Sequence, residues 1–111
     1  MSTVAPLARI DGAACWSLSR ELGRITPREP ALVRLTPYWS DAVGEPHIWH
    51  TVLVLDSAGR EVPLPRGAHN LIRDALWQAF PAQWLDQTVD YDIATGDLRL
   101  HRPPVIQGQV A

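Results

Sequence analysis

Four groups of residues in this chain are of types that could do chemistry. Asp90-Tyr91-Asp92, with His101 downstream, has the carboxylates and imidazole of a divalent-cation site, and a metal-dependent enzyme using Asp90, Asp92 and His101 is one reading. Arg99 and His101 also stand where a hairpin would bring them opposite the two aspartates, and a solvated charge ladder is the simpler reading. His47-Ile48-Trp49-His50 has zinc-ligand spacing on a helix, but a strand sends the two imidazoles to opposite faces, and no cysteine or acidic cluster completes a ligand set. Cys15, the only cysteine, lies in no nucleophile elbow, and Ser17, Ser19, Ser40 and Ser57 have no flanking motif. With no phosphate loop or dinucleotide fingerprint in the chain, no catalytic residue, metal or cofactor is assigned.

Residues suited to binding are more prominent. Five tryptophans in 111 residues must fill a core or anchor an interface. Trp77 falls between Arg73 and Asn70 on the polar side of a helical wheel, so either the C-terminal hairpin folds over it or it is an exposed anchor. Trp77, Phe80 and Trp84 form the candidate partner-binding patch, for another protein or a second copy of the chain. Arg20, Arg24, Arg28 and Arg34, preceded by Arg9, make the first third locally basic, and a second candidate is nucleic-acid binding through these arginines. The formal charge of −2 gives no overall pull toward nucleic acid or anionic lipid. All ten basic residues are arginine, a skew expected of GC-rich coding.

The elements that must position these groups follow from periodicity. Ala68, Leu71, Ile72, Ala75, Leu76, Ala79 and Phe80 share one side of a helix, Gly67 stands at its start, and Pro81 disfavours helical geometry at Phe80. Val89, Tyr91 and Ile93 alternate with polar residues, Gly96 supplies a turn, and Leu98 and Leu100 resume the apolar face. Pairing Ile93 with Leu98 sets Tyr91 against Leu100, Asp92 against Arg99 and Asp90 against His101. Upstream, Asp11–Gly23 reads as a short helix capped by Asp11. Ala31–Ser40 alternates as a strand, with Pro37 suggesting an edge. His47–Asp56 is apolar on both faces and reads as a central strand, and Glu61–Leu64 as a short edge strand. The expected fold is α+β: one domain over residues 1–111, an antiparallel sheet of about five strands covered by one main amphipathic helix through Leu71, Ile72 and Leu76, with a short N-terminal helix. Residues 1–10 and 103–111 read as flexible ends. No signal peptide is evident and no apolar run reaches the ~20 residues of a membrane span, so the expectation is a cytoplasmic protein without membrane contact.

Leu71-Ile72-Arg73 through Ala79-Phe80-Pro81, then Trp84, then Tyr91-Asp92-Ile93-Ala94-Thr95-Gly96-Asp97-Leu98 and His101, resembles small proteins of actinobacterial plasmids and integrative elements, the Pra-type transcriptional regulators among them. The similarity covers the C-terminal third, Leu71 to His101, and rests on the helix, its stop and the hairpin turn. It implies an actinobacterial host and a role in regulating a mobile element. Together with the aromatic patch, it makes a small non-enzymatic accessory protein the leading expectation.

Overall fold

The computed structural model describes residues 7–40, 44, 47–80 and 86–101. In chain order these form β1 (Ala8–Arg9), α1 (Gly12–Ile25), β2 (Leu32–Ser40), β3 (His47–Leu55), α2 (Ala68–Ala79), β4 (Val89–Asp92) and β5 (Asp97–Leu100). The fold is α+β. Its five-stranded antiparallel sheet has the order β1-β5-β4-β2-β3.

Local chemistry sets both helices. The Asp11 side chain accepts from the Ala14 N–H at 2.8 Å and caps α1. Gly23 does not end that helix as its composition suggests. Two further residues are helical until Thr26, whose N–H and hydroxyl both donate to the Leu22 carbonyl at 3.0 and 2.9 Å while Pro27 bars further turns. At the start of α2, Gly67 has φ 85°, a left-handed conformation open to glycine at little cost. The helix stops at Phe80, ahead of Pro81, as expected.

Both helices bury their apolar stripes against the same face of the sheet. Leu18 and Leu22 of α1 and Ile72 and Leu76 of α2 share one cluster with Val33, Leu35, Val52, Val54, Val89, Tyr91 and Leu98. Leu71, expected among the covering residues, is 57% exposed. It lies one helical step off the stripe centred on Ala68, Ile72 and Leu76, and α1 supplies the cover that Leu71 was expected to give. Among the described residues no helix covers the opposite face of the sheet.

Four sheet expectations are corrected. First, β3 is an edge strand and β2 is interior over Leu32–Leu35, where β4 pairs with it. The outer margin of β3 is met by side chains of α2 and by Val62, and only its Val52/Val54 face is buried in the core, while Trp49, Leu53 and Leu55 on the other face are half-buried. Second, the segment from Glu61 contributes a single bridge, Leu55 to Glu61, with the Val62 N–H donating to the Val54 carbonyl at 2.8 Å. Third, the β4–β5 hairpin is two residues out of the expected register. Tyr91 opposes Leu98, Asp90 opposes Arg99 and Asp92 opposes Asp97. The face of each side chain is unchanged, because a two-residue shift conserves the pleat. The shift comes from the turn: the Asp92 carboxylate accepts from the Ala94 and Thr95 N–H groups at 3.0 and 3.4 Å, and the Gly96 N–H donates to the Asp92 carbonyl at 2.9 Å. Gly96 has φ 77°, and a Cβ there would lie 3.1 Å from the Cys15 sulfur. Finally, Ala8–Arg9, within the segment expected to be a loose arm, pairs with β5 as β1.

Candidate protein-contact surface

β2 and β3 pair over nine positions, from Leu32↔Leu55 to Ser40↔His47, whereas β4 accompanies β2 only to Leu35. Five pairs, Thr36↔Thr51 to Ser40↔His47, therefore continue past the rest of the sheet as a two-stranded ribbon about 17 Å long. It carries the largest exposed aromatic side chains of the sheet, Tyr38 at 47% and Trp39 at 70%, on opposite faces. An isolated two-stranded ribbon is marginal in water, and exposed tryptophan on it is costly.

Both margins of this ribbon are obstructed as templates for an added strand. The Ile93 N–H donates to the Ala31 carbonyl, so the odd-numbered residues of β2 turn their backbone groups toward β4. Pro37 is one of them, and its missing N–H falls on the open side beyond Leu35. On the outer side, Val62 occupies Val54 at one end of β3. Near the other, Trp49 and His50 meet α2: the Trp77 ring stacks on Trp49 at 6.4 Å and meets His50 edge-on at 5.5 Å. Two successive strand residues can reach one ring only at a sheet edge, where side chains from both faces bend around the backbone. The Arg73 guanidinium lies 4.6 Å from the Trp49 ring centre and 4.9 Å from that of Trp77, and the Trp77 Nε1–H donates to His50 Nδ1 at 3.2 Å.

This geometry reassigns the aromatic residues singled out in the sequence. Trp77 is half-buried, covered by β3 rather than by the C-terminal hairpin, and it fastens α2 to the sheet edge. Phe80 is buried at 3% exposure and packs edge-on against Tyr91 at 5.5 Å, so it is a core residue and no part of an exposed patch. Trp84 lies outside the described residues. Among the described residues Tyr38, Trp39 and Trp16 are the exposed aromatics instead. Wheel and alternation patterns assign a face, and they cannot show where a strand outruns its neighbours.

The four arginines are dispersed. Arg20 stacks over the exposed Trp16 at 4.8 Å, and Arg24 pairs with Glu21 at 2.8 Å, both on α1. Arg28 donates to the Glu61 carbonyl at 2.9 Å. Arg34 lies on the sheet face away from the helices, where it grips Asp90 through two bonds of 2.7 and 3.3 Å. No single surface collects them.

Asp90 and Asp92 have separate tasks. His101 Nδ1 stands 3.0 Å from the Asp90 carboxylate that Arg34 also holds, while Asp92 is occupied by the turn. Among the described residues no group of three or more His, Cys, Asp or Glu is placed to share a metal ion. His50 turns toward the helices and Trp77. The Cys15 sulfur is 3.5 Å from the Ile93 carbonyl and accepts from the Tyr91 hydroxyl at 3.9 Å. Burial raises the Tyr91 phenol far above its ordinary range, and the contact with Cys15 adds to that.

Sequence reasoning did not single out Asp97. Only 2% exposed, it is held by Arg9 through both carboxylate oxygens and by Arg99 at 2.9 Å. The hydrogen bonds from Arg9 keep its carboxyl below the usual range in spite of burial. Among the described residues no helix is long and apolar enough to cross a membrane. In comparisons with protein-family models, curated proteins and solved structures, no match to the chain was found.

Proposed function

We propose that this chain is a small non-enzymatic accessory protein that works by contacting another protein through the β2–β3 ribbon. The observation that carries this reading is the exposure of Tyr38 and Trp39 on a ribbon that outruns its sheet. Aromatic rings of this size dominate binding energy when a partner desolvates them. Pro37 on one margin and α2 against Trp49 and His50 on the other disfavour an added strand, so the partner is met by side chains. The resemblance of Leu71–His101 to regulators carried by actinobacterial mobile elements supports an accessory role in controlling such an element. Cytoplasmic location belongs to the same proposal.

The test is Trp39→Ser. The substitution should leave the melting temperature within about 2 °C of the wild type, because the side chain is already solvated, and should weaken capture of the physiological partner at least tenfold. Undiminished capture by the folded variant would remove the ribbon from the interface. Phe80→Ala is the counterpart, since it should act through stability alone.

Direct nucleic-acid binding is the weaker reading. Arg24, Arg28 and Arg34 already have protein acceptors, and phosphate would have to compete for them.

A further inference from the structure

One imidazole of this chain is held where a proton would break the contact that holds it. His50 is 4% exposed, and its Nδ1 accepts the Trp77 Nε1–H at 3.2 Å. An indole nitrogen only donates, so Nδ1 keeps its lone pair and the ring is neutral. A proton added at Nδ1 would set one N–H against another. It would also place a buried cation close to a second one. The Arg73 side chain, one helical turn before Trp77, is 12% exposed, and its guanidinium lies 4.9 Å from the centre of the same Trp77 ring that His50 meets edge-on at 5.5 Å.

The elements packed around His50 favour the neutral ring. From α2 the charged groups on this side are Arg73 and Asp74, whose carboxylate is held by Arg73 at 3.1 Å and is 54% exposed, and His69, further back on the helix, is exposed. From the sheet, Pro37 lies opposite His50, and Leu35 and Val52 adjoin them on the same face, all uncharged. Trp77 meets both Trp49 and His50, so this contact decides whether the end of α2 stays on the outer margin of β3.

We propose that the Trp77–His50 contact is an acid-released clasp: on mild acidification His50 takes a proton at Nδ1, Trp77 withdraws, and the margin of β3 that α2 obstructs is uncovered. The folded chain holds neutral a ring that the unfolded chain protonates below the ordinary imidazole value of about 6.5. The stability contributed by His50 is therefore complete above that value and is lost as pH falls below it. Asp97 and Asp56 lose their contributions in a separate window, below the ordinary carboxylate value of about 4.

The test is a titration of the nitrogen-15-labelled full chain from about pH 8 to about pH 5, followed by the indole N–H resonance of Trp77, which is identified by its absence from Trp77→Phe. In the wild type that resonance should move through a single titration, and the melting temperature should fall by at least about 4 °C over the range. His50→Gln offers an amide oxygen in place of Nδ1 and takes no proton, so it should hold the resonance still and remove most of the fall. Arg73→Met takes away the cation that opposes a charged ring and should make the fall smaller, which keeps the test open should His50→Gln not fold. Because the signal is the Trp77 indole itself, titration of the other three histidines does not imitate it. A resonance unmoved across the range, or a pH dependence undiminished in either variant, would overturn the inference. Neither result touches the ribbon reading, which Trp39→Ser probes on its own.

Discussion

Asp97 ties three strands together, because its carboxylate receives Arg9 from β1 and Arg99 from its own strand while its backbone pairs opposite Asp92 of β4. Its folded-state carboxyl is depressed, chiefly by Arg9, so the stabilisation it provides is complete above the ordinary carboxylate pKa of about 4 and is lost as pH falls through the lower folded value. Asp56, depressed mainly by the Arg60 N–H, adds to stability with the same sign. Thermal melts of the wild type and Asp97→Asn at pH 7 and pH 3 check this. The variant should melt lower at pH 7, and the gap should narrow at pH 3, below the ordinary carboxylate pKa, where Asp97 of the unfolded chain is largely protonated and the advantage of its ionised form in the fold shrinks. An equal gap at both values would show that Asp97 matters for packing and not for its ionised pairs.

At the scale of elements, α2 offers a direct contrast between two leucines of the same periodic run. Leu76→Ala should cost about 2–5 kcal/mol by opening a cavity between helix and sheet, while Leu71→Ala should change stability by less than about 0.5 kcal/mol, both read from urea unfolding midpoints. Equal losses would put the burial of this helix elsewhere on its surface. The helix, its glycine start and its stop before Pro81 were legible because their causes are local: a 3.6-residue period, a left-handed glycine, the steric demand of proline. The tilt of the stripe away from Leu71 was not, since it depends on α1 sharing the cover. The face of every β4–β5 side chain was legible from alternation, but the register was not. Asp92 gains more from capping its turn than from pairing with Arg99, a competition between side-chain and backbone partners that alternation leaves unweighted. The sequence likewise placed β3 as apolar on both faces, and a central strand and an edge strand wrapped by tryptophan look alike in that pattern. The candidate surface suffered most, because exposure of Tyr38 and Trp39 follows from where β4 ends.

For the molecule as a whole, the arrangement separates support from contact. Two helices and the core occupy one side of the sheet and the aromatic ribbon projects beyond it, so substitutions at Tyr38 and Trp39 should alter association without unfolding the chain. The short first strand has a separate consequence. It joins the last strand across 88 residues of sequence, whereas β2–β3 and β4–β5 each close through a nearby turn. Assembly therefore begins with the two local hairpins and ends with the N-terminal seam, because that closure carries the largest chain-entropy cost for the fewest backbone bonds. The same seam should be the first to part under thermal fluctuation, so the Ile10 amide proton, which is donated to the Gly96 carbonyl, should exchange with solvent long before those of the interior strands.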